Sequence, residues 1–364
     1  MRRRPDYALL GVIVFLVVFG LIMIASSSIS LSQEKSGENY YYLKYQILHG
    51  LLPGLILGLI AYFLPLSFFK KISLPLLVLN LILLGLVLVP GIGLEHGGAQ
   101  RWISLGSFSF QPSEFLKFTY ILYLAGWFSS KNKNIKSFSE TFLPFLMILG
   151  ATAFLLLAQP DLGTMGIIGL SAVAVFLLAG GSFRHIILIF SGAVALFFIL
   201  IKVFSHASSR FQIFLHPEMD PLGKGYQINQ AFLALGSGGF LGLGLGQGLQ
   251  KFRYLPEPAT DSILAVIGEE LGFIGIISLI LLFLFFVSRG LKIAAKAPDE
   301  FSKLLAGGIT ISIALQVLIN MASVCGLFPL TGIPLPFISL GGSSLTVSLA
   351  AMGILLNISK YSKI

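Results

Sequence analysis

Residues 255–287 read LPEPATDSILAVIGEELGFIGIISLILLFLFFV, and this stretch sets two prolines, Glu257 and Asp261 directly before a long apolar run. The run exceeds the roughly 18 residues that mark a membrane-spanning helix. Pro256 and Pro258 stiffen the approach and bias the residues before them away from helix, so the helix is predicted to start near Thr260 or Asp261. Thr260 is a candidate cap. An aspartate in a first helical turn is stabilised as the anion, whereas burial raises its pKa, so Asp261 reads either as a cap or as a base. Eight residues of helix rise about 12 Å, which predicts that Glu269 lies well inside the bilayer. Glu269 and Glu270 point about 100° apart and do not share one narrow stripe.

The same reading extends along the chain. Its 364 residues are 56% hydrophobic and only 11% charged, with 32 Phe, which is the composition of a polytopic membrane protein. No stretch outside the apolar runs is long and mixed enough to build a water-soluble core. The expectation is an all-α polytopic fold in one integral domain, 1–364. Ten spans are predicted, at 7–28, 45–64, 71–90, 112–129, 141–158, 162–180, 184–203, 263–288, 303–324 and 337–358. The run after the basic start MRRRPDY is too long for a signal-peptide core and lacks an A-x-A-like cleavage site, so it is expected to remain as an anchored first helix.

Lys and Arg set the orientation, because cytoplasmic loops retain them. Arg2, Arg3, Arg4, Lys70, Lys71, Lys131, Lys133, Lys136, Arg184, Arg289, Lys292, Lys296, Lys303, Lys360 and Lys363 place 15 of the 24 basic residues on one side. Both termini are therefore expected in the cytoplasm, and a large extracytoplasmic loop, 204–262, is expected between spans seven and eight. That bias accounts for most of the net charge of +9, which is no evidence for nucleic acid. The lone Cys325 excludes an intramolecular disulfide and any thiolate metal cluster, and the five histidines show no ligand spacing.

Ionisable groups near the outer span ends are the candidates for a site, since such groups are costly in hydrocarbon. In GGAQRWISLGSFSFQPSEFLKF (97–118) stand Arg101, Trp102, Glu114 and Lys117. Glu114 and Lys117 share one helix face, as an internal ion pair at a helix start or as part of a site. In AQPDLGT (158–164), Asp161 reads as a helix cap or a site carboxylate. The segment 232–254 has glycines at 236, 238, 239, 242, 244, 246 and 248 but no G-x-G-x-x-G. Its small residues suit close helix contact or a re-entrant turn. Lys251 and Arg253 follow, as a solvated face or as a phosphate-holding pair.

Together, QRWISLGSFSFQPSEFLK, QPDLGT, GKGYQINQAFLALGSGGFLGLGLGQGLQKFRYLPEPATDSILAVIGEELG and TGIPLPFISLGGSSL resemble the SEDS family of bacterial cell-wall polymerases. The resemblance runs from about residue 6 to the C-terminus. The QKFRYLPE run and the DYALLGVIVFLVVFGLIMIASSS start look more like the division branch than the elongation branch. The resemblance implies a ten-helix bundle and a peptidoglycan glycosyltransferase that polymerises lipid II at the outer leaflet. It implies a multi-pass protein of the bacterial cytoplasmic (inner) membrane at the division septum. The implied partners are a class B penicillin-binding protein (a monofunctional transpeptidase) and other divisome membrane proteins. The family's essential aspartate falls on Asp261, in its LPE-x-x-TD motif with Glu257 and Thr260. Arg101, Trp102, Glu114 and Lys117 carry over as supporting residues. Two departures are Ala259, where the family usually shows a polar residue, often His, and Leu340 in place of the usual Tyr.

Joining lipid-linked disaccharides replaces an α-linked pyrophosphate with a β-1,4 bond, so the sugar carbon inverts in one displacement. Such a step needs one base and one anion clamp. Asp261 is expected to take the proton of the acceptor's 4-hydroxyl, with cations among Arg101, Lys117, Arg210, Lys251 and Arg253 on the departing undecaprenyl pyrophosphate. Asp161 and Glu269 complete the supporting set. No cofactor is called for, although a divalent cation could share the clamp's work. The rival readings are a lipid II flippase or transporter and a non-catalytic scaffold that recruits a transpeptidase.

Overall fold

The computed structural model describes residues 4–96, 99–105, 108–131, 134–203, 205–221, 223 and 225–362. Arg2, Arg3, Lys133 and Lys363, counted above for orientation, lie outside the described residues. The helices are α1 (Tyr7–Ser27), α2 (Ile29–Ser36), α3 (Tyr41–Phe63), α4 (Leu66–Val87), α5 (Pro112–Ser130), α6 (Phe138–Ala158), α7 (Leu162–Leu178), α8 (Phe183–Val203), α9 (Ser205–Leu215), α10 (Tyr226–Gly238), α11 (Ile263–Ala295), α12 (Glu300–Val324) and α13 (Gly342–Ser359). Eight of these, α1, α3, α4, α6, α8, α11, α12 and α13, are long and apolar enough to cross a membrane. The chain is a multi-pass membrane protein. Helix α7 is apolar but shorter, at 17 residues, and α5 carries Glu114 and Lys117 in its first two turns.

Each of the ten predicted spans falls on one of these helices, and three ends differ by five residues or more, the first being that of α4, which starts at Leu66 rather than 71. Helix α13 starts at Gly342 rather than 337. Pro334, Pro336 and a positive φ of 66° at Phe337 hold the preceding segment out of helix. Helix α11 runs on to Ala295, past the predicted end at 288, since nothing in its polar last turns breaks a helix.

The all-α expectation is corrected by a small antiparallel sheet, β1 (Gly93–His96), β2 (Ala99–Leu105) and β3 (Phe108–Phe110), in the order β1-β2-β3. Ile103, in mid-β2, is buried. The sheet ends one residue before α5, whose Pro112 sits at the first helical position.

Helices α12 and α13 form the centre, with α12 packed against α5, α7 and α11, and α13 against α3. Helix α8 lies at the periphery, burying only His185 and Leu200. Helix α1 packs along α11 and is tied to it at both ends. At one end Asp6 caps α1 by accepting from Leu9 N and receives Arg289 Nε at 3.0 Å. At the other, Ser26 Oγ donates to Glu270 at 2.7 Å.

Helix α11 is broken at Gly272, where φ is 66° and ψ is −166°. The freed carbonyls of Glu269 and Glu270 accept from Leu243 N and Gly244 N at 3.0 Å each, while Phe273 N and Ile274 N donate to Gly239 O and Phe240 O. The glycine-rich segment thus satisfies the backbone groups that the break exposes, as irregular backbone in an apolar setting requires. A side chain at Gly272 would put its Cβ 2.3 Å from Gly242 N.

Candidate active site

Helix α11 begins at Ile263, with Ser262 as the N-cap residue and no side-chain cap. This corrects the expected start at Thr260 or Asp261. Thr260 does not cap the helix; its hydroxyl donates to Glu257, to the carboxylate at 2.7 Å and the carbonyl at 3.2 Å. Asp261 therefore stands outside the first turn, freed from capping.

Its carboxylate lines a cavity of about 300 Å³ with Arg210, Gln227, Phe232, Phe328 and Gly332. Gln227 Nε2 lies 3.4 Å from Asp261 Oδ2 and donates to Ser262 Oγ at 3.0 Å. Burial first, and the Glu257 carboxylate second, push Asp261 from the ordinary 3.8 up to about 6, against hydrogen bonds from Gln227 and Thr260. A carboxylate so placed is ionised near neutrality yet more basic than an ordinary aspartate, which suits a general base.

Glu257 is exposed and adopts a positive φ of 50°. Its carbonyl accepts from Thr260 N and Ser262 N, both at 3.2 Å. This tight turn gives the two prolines their purpose, because it aims Asp261 at the cavity while α11 starts beyond it.

Arg210, on α9, faces Asp261 across the cavity. Partial burial, then the nearby Arg101 guanidinium, lower its pKa, while Asp261 and Asp161 raise it. Two cations and two carboxylates therefore share this mouth. Arg101 is held by its Nε donating to Gln159 O at 3.0 Å and a second bond to Pro160 O. Asp161 accepts from Thr164 N at 3.2 Å as the cap of α7, and from Ser113 Oγ at 3.1 Å. Trp102 is partly buried on β2, opposite Leu94.

The other expected cations stand elsewhere. Lys251 is buried in an ion pair with Glu270 at 2.6 Å, and its ammonium also donates to Ser26 Oγ. Arg253 pairs with Glu34 at 2.9 Å on the exterior. Glu269 accepts from Leu249 N at 2.8 Å and Gln250 N at 3.2 Å, holding the glycine-rich segment. Lys117 is buried between Glu114 and Gln316, both at 2.8 Å, beside a separate small cavity between α5, α12 and α13. Gln227, on α10, is a site residue that sequence reasoning missed, since a lone Gln at a helix start carries no motif. Among the described residues no group of three or more His, Cys, Asp or Glu could hold a metal ion. Asp261 and Glu257 alone make a poor donor set for a divalent metal.

Residues 7–364 match the family described as cell cycle protein, FtsW/RodA/SpoVE. The chain is 44% identical over 361 residues to the probable peptidoglycan glycosyltransferase FtsW of Trichlorobacter lovleyi, covering 99% of this chain and 94% of that protein. It is 42% identical to the stage V sporulation protein E of Bacillus subtilis, covering 100% and 99%. A chain from a structure on coordination of polymerization and crosslinking by a peptidoglycan synthase complex superposes with a TM-score of 0.80 at 26% identity, covering 98% and 97%. The rod shape determining protein RodA of Thermus thermophilus gives 0.73 at 26% identity, covering 99% and 98%. The chain thus belongs to the FtsW/RodA/SpoVE family, the SEDS family that its sequence motifs resemble.

Proposed function

We propose that the chain is a peptidoglycan glycosyltransferase of cell division, which extends glycan strands from lipid II with Asp261 as the general base. The observation that carries this is Asp261 lining a cavity together with Arg210 and released from helix capping. The acceptor's 4-hydroxyl gives its proton to the Asp261 carboxylate as its oxygen attacks the donor's anomeric carbon. The bond to the pyrophosphate oxygen breaks on the opposite face, and α becomes β. Arg210, with Arg101 behind it, offsets the charge on the leaving undecaprenyl pyrophosphate.

The ten helices α1, α3–α8 and α11–α13 are the ten spans of this reading, with both termini in the cytoplasm and 204–262 outside, all in one integral domain. Two polar rungs support that placement. Asp6–Arg289 and Ser26–Glu270–Lys251 bridge α1 and α11 and stand about 30 Å apart along α1, which matches the hydrocarbon thickness. Lys292, Lys296 and Lys303 lie beyond the first rung, which makes it the inner one. Glu269 then sits at the outer boundary rather than well inside the bilayer. Asp261 lies beyond it, where a lipid-linked sugar is exposed. A class B penicillin-binding protein is the partner that crosslinks the strands, with other divisome proteins at the septum of the inner membrane.

The test is to purify the wild-type chain with its transpeptidase, supply lipid II in detergent and digest the product with a muramidase. Strands cut by that β-1,4-specific enzyme are expected. A well-folded complex that yields no strands but moves lipid II across vesicles would refute the reading.

A further inference from the structure

We infer that Asn320, on α12, is a positioning residue for the polymerase reaction, fixing the backbone of Asp261 to the TGIPLP segment (331–336). This inference rests on the reading of Asp261 as base. The catalytic segment is not held by its own helix, since α11 starts only at Ile263 without a side-chain cap. Something else must fix the carboxylate. Asn320 is 1% exposed, and its Nδ2 donates to Asp261 O at 2.9 Å and Ile333 O at 2.8 Å. Both partners are carbonyls, so only the amide nitrogen can serve them. Asn320 Oδ1 has no protein partner among the described residues, so these two bonds are what the side chain contributes.

The residues just after that segment bind the same turn, and Ser339 Oγ accepts from Leu335 N within the segment at 2.8 Å. Ser339 Oγ donates to Thr260 O, and Leu340 N donates to Ala259 O at 2.8 Å. One turn along α12, Gln316 Nε2 donates to Pro334 O at 2.8 Å while its Oε1 accepts from Lys117. The TGIPLP segment is therefore a strut. It links the buried Glu114–Lys117 pair to the backbone of the base, and among the described residues Asn320 is the side chain that bonds both the strut and Asp261 itself, while Ser339 bridges the strut to the preceding Thr260 carbonyl. A displacement of about 1 Å at a reacting group can cost on the order of a hundredfold in rate.

The structure supplies a matched control. Asn357, on α13, is also buried, and its Nδ2 also donates to two carbonyls, Ala61 O at 3.0 Å and Leu64 O at 2.7 Å. It ties α13 to the far end of α3, near the inner rung. Asn320→Leu and Asn357→Leu are compared in the full chain with its partner, with Asn320→Ala as a milder second variant should the first not fold. The readouts are polymerisation kinetics across pH, melting temperature, and amide exchange in residues 259–262 and 333–340.

Asn320→Leu is expected to lower kcat about tenfold or more with KM for lipid II within twofold, to move the acidic limb of the pH profile, and to speed amide exchange in both segments. Asn357→Leu is expected to lose similar thermal stability and change none of these. Unchanged kcat, pH limb and exchange in a folded Asn320 variant would overturn the inference, as would equal losses in Asn357→Leu. Activity retained by Asp261→Asn would instead defeat the reading of the base, and the exchange data would still decide the role of Asn320.

Discussion

Replacing Lys251 by Met separates a structural cation from a catalytic one. The Lys251 and Glu270 side chains are 2% and 0% exposed and 2.6 Å apart, so removing the ammonium leaves a carboxylate buried without its counterion. Breaking such a pair costs about 3–5 kcal/mol. Glu270 keeps the hydroxyl of Ser26, which donates between its two oxygens at 2.7 and 2.9 Å, and this places the expected loss near the lower end, about 3 kcal/mol. Adding Glu270→Gln removes the uncompensated charge, and the double variant should recover at least about 2 kcal/mol relative to the sum of the single changes. Unfolding by denaturing detergent in mixed micelles measures each corner of the cycle, with polymerisation assayed beside it. The double variant is expected to polymerise with an unchanged KM for lipid II, because Lys251 is buried against Glu270 and does not line the cavity. A stable, folded double variant that has lost polymerisation would refute this placement and return Lys251 to the pyrophosphate.

Asp261 makes the reaction pH-dependent, and polymerisation should rise as pH passes upward through about 6, where its carboxylate loses its proton. The raised pKa also sets a sign for stability. The folded state favours the protonated acid, so that contribution is full below the ordinary 3.8 and is lost as pH rises through about 6. Asp261→Asn should therefore match wild type near pH 4 and exceed it in stability at pH 8, by at most about 3 kcal/mol. Equal stability difference at both pH values would contradict the desolvated carboxylate. Exchanging Glu114 and Lys117 should retain much of the activity, since the pair survives and Gln316 Nε2 keeps its bond to Pro334 O; the cost is the donor that Gln316 Oε1 loses. Loss of activity with an unchanged melting temperature would assign Lys117 to the substrate instead.

Most of the helical framework was legible because a membrane span depends on length and apolarity, which a single sequence displays directly. Helix α5 was found despite Glu114 and Lys117, because Pro112 and the apolar residues after it mark a helix start. The sheet was missed because three short strands in a polar loop resemble a helix lead-in. The cavity residue Gln227 and the strut residue Asn320 were invisible for another reason. Their roles arise from segments that are distant in sequence, and an isolated amide on a helix has no spacing to recognise. The place of Lys251 was hidden for a third reason: its nearness in sequence to Asp261 suggested a shared site, but the break at Gly272 turns the glycine-rich segment back onto α11 and buries its ammonium against Glu270. Motif matching located Asp261, and only the geometry of the Glu257 turn explains why it is not a cap.

The central claim, that Asp261 removes the acceptor's proton, is tested most directly by the initial rate of glycan bond formation with Asp261→Asn in the purified complex, beside lipid II binding and melting temperature. Asparagine keeps the size and the hydrogen-bonding shape but cannot accept the proton, and general-base catalysis is worth about 10²–10⁴-fold. The expected result is a rate lowered by at least about a hundredfold with binding and fold intact. An Asp261→Asn complex that polymerises within a few-fold of wild type would contradict the account.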